Sequence, residues 1–515
     1  MRGEAVISNS GQTVIVGAGI GGLVSAVLLA SRGVPVSVVE KENGPGGKVR
    51  QLDVEGVGVD AGPTVFTMRH VFDEIFELAG ARTEDYLTLR KAERIARHAW
   101  GPDERLDLFA HHERSCDAIG NFAGAKAVAG FRKFSREAKR LHDALDRPFL
   151  RDSKTDPFTL GWRMGWRGFP DWLNLRAYRS MWSALGSYFP DPRLRQLFGR
   201  YTTYCGSSPF ETPATLMLIA DVEARGVWAI DGGMSALAAA LEKLAREKGV
   251  VFRYGQPVSR IIVQNDSATG VELASGERLA AGRIVFNGDP AALGDGLLGQ
   301  DVIPATRKVP EQARSLSAMV WLAKSKTSGF DLDHHNVFFS PDYASEFRDI
   351  AAGRIPSDPT AYVCALGQNR FQIIVNAPAN GDRHIYSPEE KEQCTANMLE
   401  RLRSCGLELE EPFPHRLVTP TDFATIFPAT GGALYGRASH GWAASFLRPG
   451  SRTAIRGLYL AGGATHPGAG VPMAALSGKL ASEALLSDRI STRWYHRKAI
   501  AGGMSTRSAM TAPTG

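Results

Sequence analysis

Four glycines crowd into six residues near the start of the chain, Gly17-Ala-Gly-Ile-Gly-Gly22, directly after the β-rich run Thr13-Val-Ile-Val16. In that setting Gly17 permits a tight turn, Gly19 lets backbone approach a pyrophosphate, and Gly22 allows close helix–strand packing. A helix opening there turns free N–H groups and the positive end of its dipole toward a phosphate. Glu40 stands 18 residues after Gly22, at the end of the next apolar run. A carboxylate so placed accepts both hydroxyls of a ribose and repels a 2′-phosphate. This much suits NAD and FAD alike. The next stretches, Gly44-Pro-Gly-Gly-Lys48-Val-Arg50 and Gly58-Val-Asp-Ala-Gly-Pro-Thr64, add close-approach glycines and two cations for a diphosphate. A second glycine-rich stretch, Leu458-Tyr-Leu-Ala-Gly-Gly-Ala-Thr-His-Pro-Gly-Ala-Gly-Val-Pro-Met473, also sits between an apolar run and Ala/Leu-rich sequence. Its layout again predicts a strand, a tight loop and a helix.

The elements that must position these residues read as follows. Thr13–Val16, a helix from Leu23 to Ser31 stopped at Gly33, and a strand over Val34–Val39 make one βαβ unit. From Val71 to Tyr204 the pattern predicts mostly helix. After Trp228 the α/β rhythm returns, with a helix from Ser235 to Lys248 and short strands at Val250–Tyr254, Val258–Val263, Gly270–Leu273 and Ile284–Asn287. Residues 315–410 look mixed, and 455–487 close the chain with strand, loop and helix. The composition from Ser491 onward predicts a disordered tail.

Bulk properties narrow the function. A chain of 515 residues is too long for one simple core. A net charge of +6 is too mild to imply nucleic acid, yet it would not repel an anionic bilayer. Cys116, Cys205, Cys364, Cys394 and Cys405 are scattered and odd in number, which favours a reducing compartment over a disulfide framework. The sequence shows neither a signal-peptide core nor a membrane-spanning apolar run. The expectation is a cytoplasmic protein whose membrane contact is peripheral. Gly161–Tyr188 bears on that contact, because Trp162, Trp166, Trp172, Trp182, Tyr178 and Tyr188 interleave there with Arg163, Arg167, Arg176 and Arg179. Such a stretch suits the headgroup level of a bilayer, and equally the filling of a helical core.

Taken together, the glycine loop, Glu40, Gly46-Gly-Lys-Val-Arg50, Asp60-Ala-Gly-Pro-Thr64, Gly226–Met234 and Thr465-His-Pro-Gly-Ala-Gly-Val-Pro472 resemble the amine-oxidase-type flavoproteins. More narrowly they resemble the bacterial carotenoid desaturases, over about residues 12–490. Gly62–His70, Leu197–Tyr201 and Asp333–Phe339 look closest to the hydroxyneurosporene (1-hydroxycarotenoid 3,4-) desaturases. The resemblance implies an α/β protein with a Rossmann-type FAD-binding domain of the amine-oxidase/GDI-like fold, a mixed substrate domain and a helical membrane-associating region. By position these are 12–80, 226–314 and 411–490 for FAD, 81–225 for the helical region and 315–410 for substrate. It implies noncovalent FAD, with Gly17, Gly19 and Gly22 at the pyrophosphate, Glu40 at the adenosine ribose and Lys48 and Arg50 near the diphosphate. Val258 would touch adenine, and Gly62, Pro63 and Thr64 would approach the flavin. Gly462 and Gly463 would contact pyrophosphate or ribityl, with Val471, Pro472 and Met473 under the ring. Where many relatives carry an acidic residue, this chain reads Ala461-Gly462-Gly463, so a ribityl hydrogen bond must come from elsewhere.

The implied reaction inserts a C3,4 double bond into an acyclic carotenoid bearing a 1-hydroxyl or 1-methoxyl group, with oxygen or a membrane quinone as final electron acceptor. A cation delocalised over a polyene needs little acid–base help, so no catalytic residue is assigned. His70 is the titratable residue nearest the Gly-Pro-Thr segment. Asp333-His-His335 is a polar loop without a third metal partner of suitable spacing. The alternatives are a phytoene desaturase, a flavin amine oxidase and a prenyl-binding protein like the Rab GDP-dissociation inhibitors. A covalent amine oxidase would expect a cysteine in the closing segment, and this chain has none there.

Overall fold

The computed structural model describes residues 11–153 and 178–501. Its nucleotide-type unit is a five-stranded parallel sheet, ordered Val251–Arg253, Val36–Val39, Thr13–Val16, Arg283–Phe286, Leu458–Leu460. These strands are short and apolar because both faces are covered. Along Thr13–Val16, Ile15 enters the core on one face, while Val14 and Val16 enter the other. The first face carries the helices Ile20–Ala30, Ser235–Glu247 and Val471–Ala501; the second carries the antiparallel meander Val258–Gln264, Ser267–Leu273, Arg278–Ala280. The helix Ile20–Ala30 is buried from Ile20 to Leu29, so it reads as apolar on all sides rather than amphipathic.

A seven-stranded sheet forms the second unit, ordered His415–Val418, Ser317–Lys324, Arg370–Ala377, Ala361–Ala365, His335–Phe338, Arg94–Ala99, Arg105–Phe109. Its outer face packs Trp321, Ile373 and Val375 against Met398 and Leu402 of the helix Pro388–Ser404. The alternation along Arg370–Ala377 turns Gln372, Ile374 and Asn376 the other way, into an internal cavity. The helices His112–Ala123, Ala125–Leu145, Pro192–Gly199 and Leu218–Ala224 form a lobe around Phe131, Phe134, Phe189 and Phe198.

Three features differ from the sequence expectation. The stretch expected to be mostly helical contains the hairpin Arg94–Ala99/Arg105–Phe109, which extends the seven-stranded sheet rather than the helical lobe. Its charged positions obscured the strand pattern, because Arg97 bonds Asp107 across the hairpin at 2.9 Å and Arg94 pairs with Asp333 from another strand's approach. Likewise, His415–Val418 lies within the range assigned to FAD but pairs with Ser317–Lys324. Residues 491–501, expected to belong to a disordered tail, continue the closing helix.

Of the Trp/Arg-rich stretch, Trp162, Trp166, Trp172, Arg163, Arg167 and Arg176 lie outside the described residues. Trp182 is partly buried and packs on Phe210 with ring centroids 4.9 Å apart, and Tyr188 is buried in the helical lobe. Tyr178, by contrast, is 78% exposed. Among the described residues no helix is long and apolar enough to cross a membrane.

Candidate cofactor and substrate site

A cavity of about 900 Å³ is lined by residues of both sheets and of the helical lobe. At one end stand Glu40, Glu42, Gln256 and Val258. Glu40 is pinned to the first glycine loop: its Oε2 accepts the Ala18 N–H at 2.6 Å and its Oε1 the Glu42 N–H at 2.9 Å. The carboxylate is therefore fixed before any ligand arrives, at the position the spacing predicted.

Next along the cavity, Gly17, Gly19, Gly462 and Gly463 form its wall. Gly462 takes φ +116°, and its amide nitrogen lies 2.8 Å from where a Cβ on Gly21 would sit. Early and late glycine loops thus touch, as two halves of one cradle. Gly22 departs from its expected contact with pyrophosphate, since it does not line the cavity. A Cβ there would lie 2.2 Å from the Gly17 carbonyl oxygen, so it serves the fold of the loop itself.

Cations gather beside this cradle. The Lys48 ammonium donates to the Leu434 carbonyl at 2.5 Å and stands 5.0 Å from the centre of the Phe427 ring. Burial pushes it below the ordinary lysine range, opposed by the charge of Asp289. Arg50, 5.8 Å from the same ring, is lowered by burial too. Arg448 was not foreseen. Its guanidinium donates to the carbonyls of Tyr435 (2.9 Å), Gly463 (3.3 Å) and Arg437 (2.6 Å), which locks the second glycine loop to the preceding segment. A lone arginine outside any motif gives no sequence signal for that role.

The residues fit a flavin dinucleotide on their own chemistry. Asp289 lines the same wall, and its buried Oδ2 has no hydrogen-bond partner among the described residues, while Oδ1 accepts the Ala291 N–H at 3.0 Å. A hydroxyl-bearing ligand would satisfy that orphaned oxygen. It is a carboxylate close to the stretch where Ala461-Gly462-Gly463 lacks one.

Gly62, Pro63 and Thr64 line the cavity further along, with Val471, Pro472 and Met473 at the start of the closing helix. The seven-stranded sheet holds this stretch directly. Gln372 Nε2 donates to the Gly62 carbonyl at 2.8 Å, and the Thr64 and Tyr362 hydroxyls are 2.8 Å apart. Tyr362 in turn lies 2.7 Å from Nδ1 of His335. Beyond Thr64 the wall becomes apolar, with Val65, Leu145, Phe149, Leu216, Ile219 and Val222. It ends at a rim that includes Tyr178 and Trp442, whose ring centroids are 6.0 Å apart.

One polar patch interrupts the apolar part. Arg200 stacks its guanidinium over the rings of Tyr204 (5.4 Å) and Tyr362 (5.3 Å). The Tyr204 and Tyr201 hydroxyls each donate to Glu223 at 2.6 Å. Burial raises the Glu223 carboxyl. Arg200 forms no ion pair among the described residues.

Two other candidates resolve differently. His70 faces Asp73, Val222, Arg225 and Trp228 on a separate surface and does not reach the cavity. The sequence offered Asp333-His-His335 no third metal partner, but folding brings Cys364, whose Sγ lies 3.8 Å from His334 Nε2. Burial pushes that thiol up to about 12, and burial together with the charges of His334 and Arg200 holds His335 well below the usual histidine range.

The flavin-containing amine oxidoreductase family model matches residues 20–486. The chain is 50% identical to the hydroxyneurosporene desaturase of Rubrivivax gelatinosus, covering 97% of this chain and 98% of the relative. It is 47% identical to the protein of the same name from Cereibacter sphaeroides, covering 93% and 98%. An oxidoreductase of Methanosarcina mazei has a similar fold, with TM-score 0.58 at 17% identity, covering 92% of this chain and all of that one.

Proposed function

The chain belongs to the flavin-containing amine oxidoreductase family, and from that premise we propose that it is an FAD-dependent carotenoid desaturase introducing a C3,4 double bond into acyclic 1-hydroxy or 1-methoxy carotenoids. The observation that carries this reading is the continuity of the cavity: a nucleotide cradle runs into an apolar channel at Gly62–Thr64. Bound FAD supplies a two-electron acceptor for the hydride of an allylic C–H, and the neighbouring carbon gives up a proton as the alkene forms.

The protein's own part is positioning and exclusion of water. The apolar wall from Val65 to Val222 desolvates a polyene, while the Thr64–Tyr362 contact fixes the cofactor side against the substrate side. No side chain is assigned as base. A long hydrocarbon has no useful solubility in water, so substrate must arrive from lipid, and the rim with Tyr178 and Trp442 is the peripheral membrane contact of this reading. Oxygen or a membrane quinone would then reoxidise the flavin.

The test is incubation of FAD-loaded protein with 1-hydroxyneurosporene or rhodopin in liposomes. One added conjugated double bond should shift the absorption spectrum to the red. Consumption of phytoene with the hydroxylated substrates untouched would instead assign the chain to phytoene desaturation. No flavin retention under any condition would remove the enzyme reading.

A further inference from the structure

Arg200, Tyr204, Glu223 and Tyr362 pose a problem that desaturation alone does not solve. Placing a guanidinium and a carboxyl in a channel for hydrocarbon costs solvation free energy; the two form no direct ion pair among the described residues, and it is Tyr204 together with the charge of Glu223 that favours the charged Arg200 against its burial. A polyene needs no such groups. Apolar walls also hold a repetitive chain equally well in several registers, since sliding it by one unit exchanges like contacts for like. One polar anchor removes that degeneracy, provided it lies close to the reacting carbons.

The patch meets that requirement. Tyr362 shares a hydrogen bond with Thr64, and Arg200 lies over the ring of Tyr362. Between a hydroxyl on C1 and the C3–C4 bond lie only two or three C–C bonds of about 1.5 Å each. The anchor must therefore adjoin the Gly62–Thr64 segment, and this patch does. Thr64, Arg200 and His335 come from three separate stretches, Gly62–His70, Leu197–Tyr201 and Asp333–Phe339, which the fold brings together here.

We propose that this patch binds the tertiary oxygen at the end of the carotenoid, with Arg200 donating to that oxygen and the Tyr204 hydroxyl accepting its proton. Tyr204 already donates its own proton to Glu223, so toward a ligand its oxygen serves as an acceptor, one that Arg200 also approaches. The arrangement discriminates three kinds of chain end. A hydroxyl uses both partners, a methyl ether uses only Arg200, and a hydrocarbon end uses neither and gives the guanidinium no acceptor of its own. The order of preference is therefore hydroxyl, then methoxyl, then hydrocarbon. The inference rests on the carotenoid reading of the site and deepens it.

The experiment compares 1-hydroxyneurosporene, its methyl ether and neurosporene in the same liposomes, with rates normalised to bound flavin. Wild-type protein inactive on all three would overturn the functional reading rather than this inference. With active wild type, Arg200→Leu should lower kcat/KM for the hydroxylated chain by about 10–100-fold, the scale of a charge-assisted hydrogen bond. Its rate on neurosporene should fall far less or rise, and the new double bond should lose its unique position in the product by mass spectrometry. Tyr204→Phe keeps the guanidinium and should narrow only the gap between hydroxyl and methyl ether; it also serves if Arg200→Leu fails to retain flavin. Unaltered discrimination in Tyr204→Phe, or in a flavin-loaded Arg200→Leu, overturns the proposal.

Discussion

The hydroxyls of Thr64 and Tyr362 lie 2.8 Å apart although 298 residues separate them in the chain. Thr64 belongs to the Gly-Pro-Thr segment beside the nucleotide-type unit, and Tyr362 to a strand of the seven-stranded sheet. This contact, the Gln372–Gly62 bond and the donation from Arg370 to the Gly58 carbonyl at 3.1 Å help to register the two units against each other. Tyr362→Phe keeps the ring beneath Arg200 and deletes only the hydroxyl. Net hydrogen bonds of this kind contribute about 0.5–1.5 kcal/mol, so turnover on the preferred substrate should fall roughly two- to tenfold while FAD affinity holds. Equal losses in flavin affinity and turnover would place Tyr362 in cofactor binding instead.

Glu40→Ala should weaken FAD binding by about tenfold or more, because it removes a carboxylate held in place by the Ala18 and Glu42 amides. Flavin-fluorescence titration of apoprotein measures this directly. Unchanged affinity would mean that the ribose is held by other groups, with Asp289 the first to examine.

Gly22→Ala separates loop geometry from ligand contact. The added methyl would sit 2.2 Å from the Gly17 carbonyl, and overpacking of that kind costs about 1–3 kcal/mol. A lower midpoint in thermal melts of apoprotein, where no flavin complicates the reading, is the expected outcome. An unchanged apoprotein midpoint with weakened FAD binding would restore Gly22 to the phosphate contact.

These residues mark where the sequence was legible. Local motifs carry their own geometry, so the βαβ unit, Glu40 and the late glycine loop lie where spacing placed them. Arg448 and the Arg200–Glu223 patch were invisible because each is assembled by contacts between distant segments. The hairpin Arg94–Phe109 was hidden for a related reason: Arg94 and Arg97 look like solvated positions until Asp107, Asp331 and Asp333 are brought beside them. The Trp-rich stretch shows the same limit, since Trp182 turns inward and Tyr178 outward with nothing in their spacing to divide them.

Acid should destabilise the fold through His98. The ring is 3% exposed, its Nδ1–H donates to the Leu106 carbonyl at 3.0 Å, and burial, reinforced by the charge of Arg200, lowers its pKa from 6.5 to about 3. The unfolded chain therefore binds a proton below 6.5 that the folded chain refuses. The contribution is complete above that value and is lost progressively as pH falls toward about 3. Buried His335 acts with the same sign. The urea midpoint should drop between about pH 7.5 and about pH 5, and His98→Gln should show a shallower drop. Identical slopes would assign the acid sensitivity to other groups.

Membrane contact is tested at the rim. Tyr178, Trp442 and Leu447 are 78%, 47% and 49% exposed, so each offers surface that a bilayer would bury. Tyr178 and Trp442 also line the cavity, so a bilayer meeting this edge would stand at the channel's opening. Burying a large apolar side chain contributes about 1.5–3 kcal/mol, so Trp442→Ala with Leu447→Asp should lower the vesicle partition coefficient by well over tenfold. Co-sedimentation with anionic vesicles measures it. The same variant should desaturate detergent-solubilised carotenoid at close to the wild-type rate while failing on carotenoid embedded in liposomes. A loss confined to the liposome assay identifies the rim as the entry point, because the chemistry beyond Thr64 is left intact. Equal losses in detergent and liposomes would show that these residues shape the channel itself and that lipid is met elsewhere.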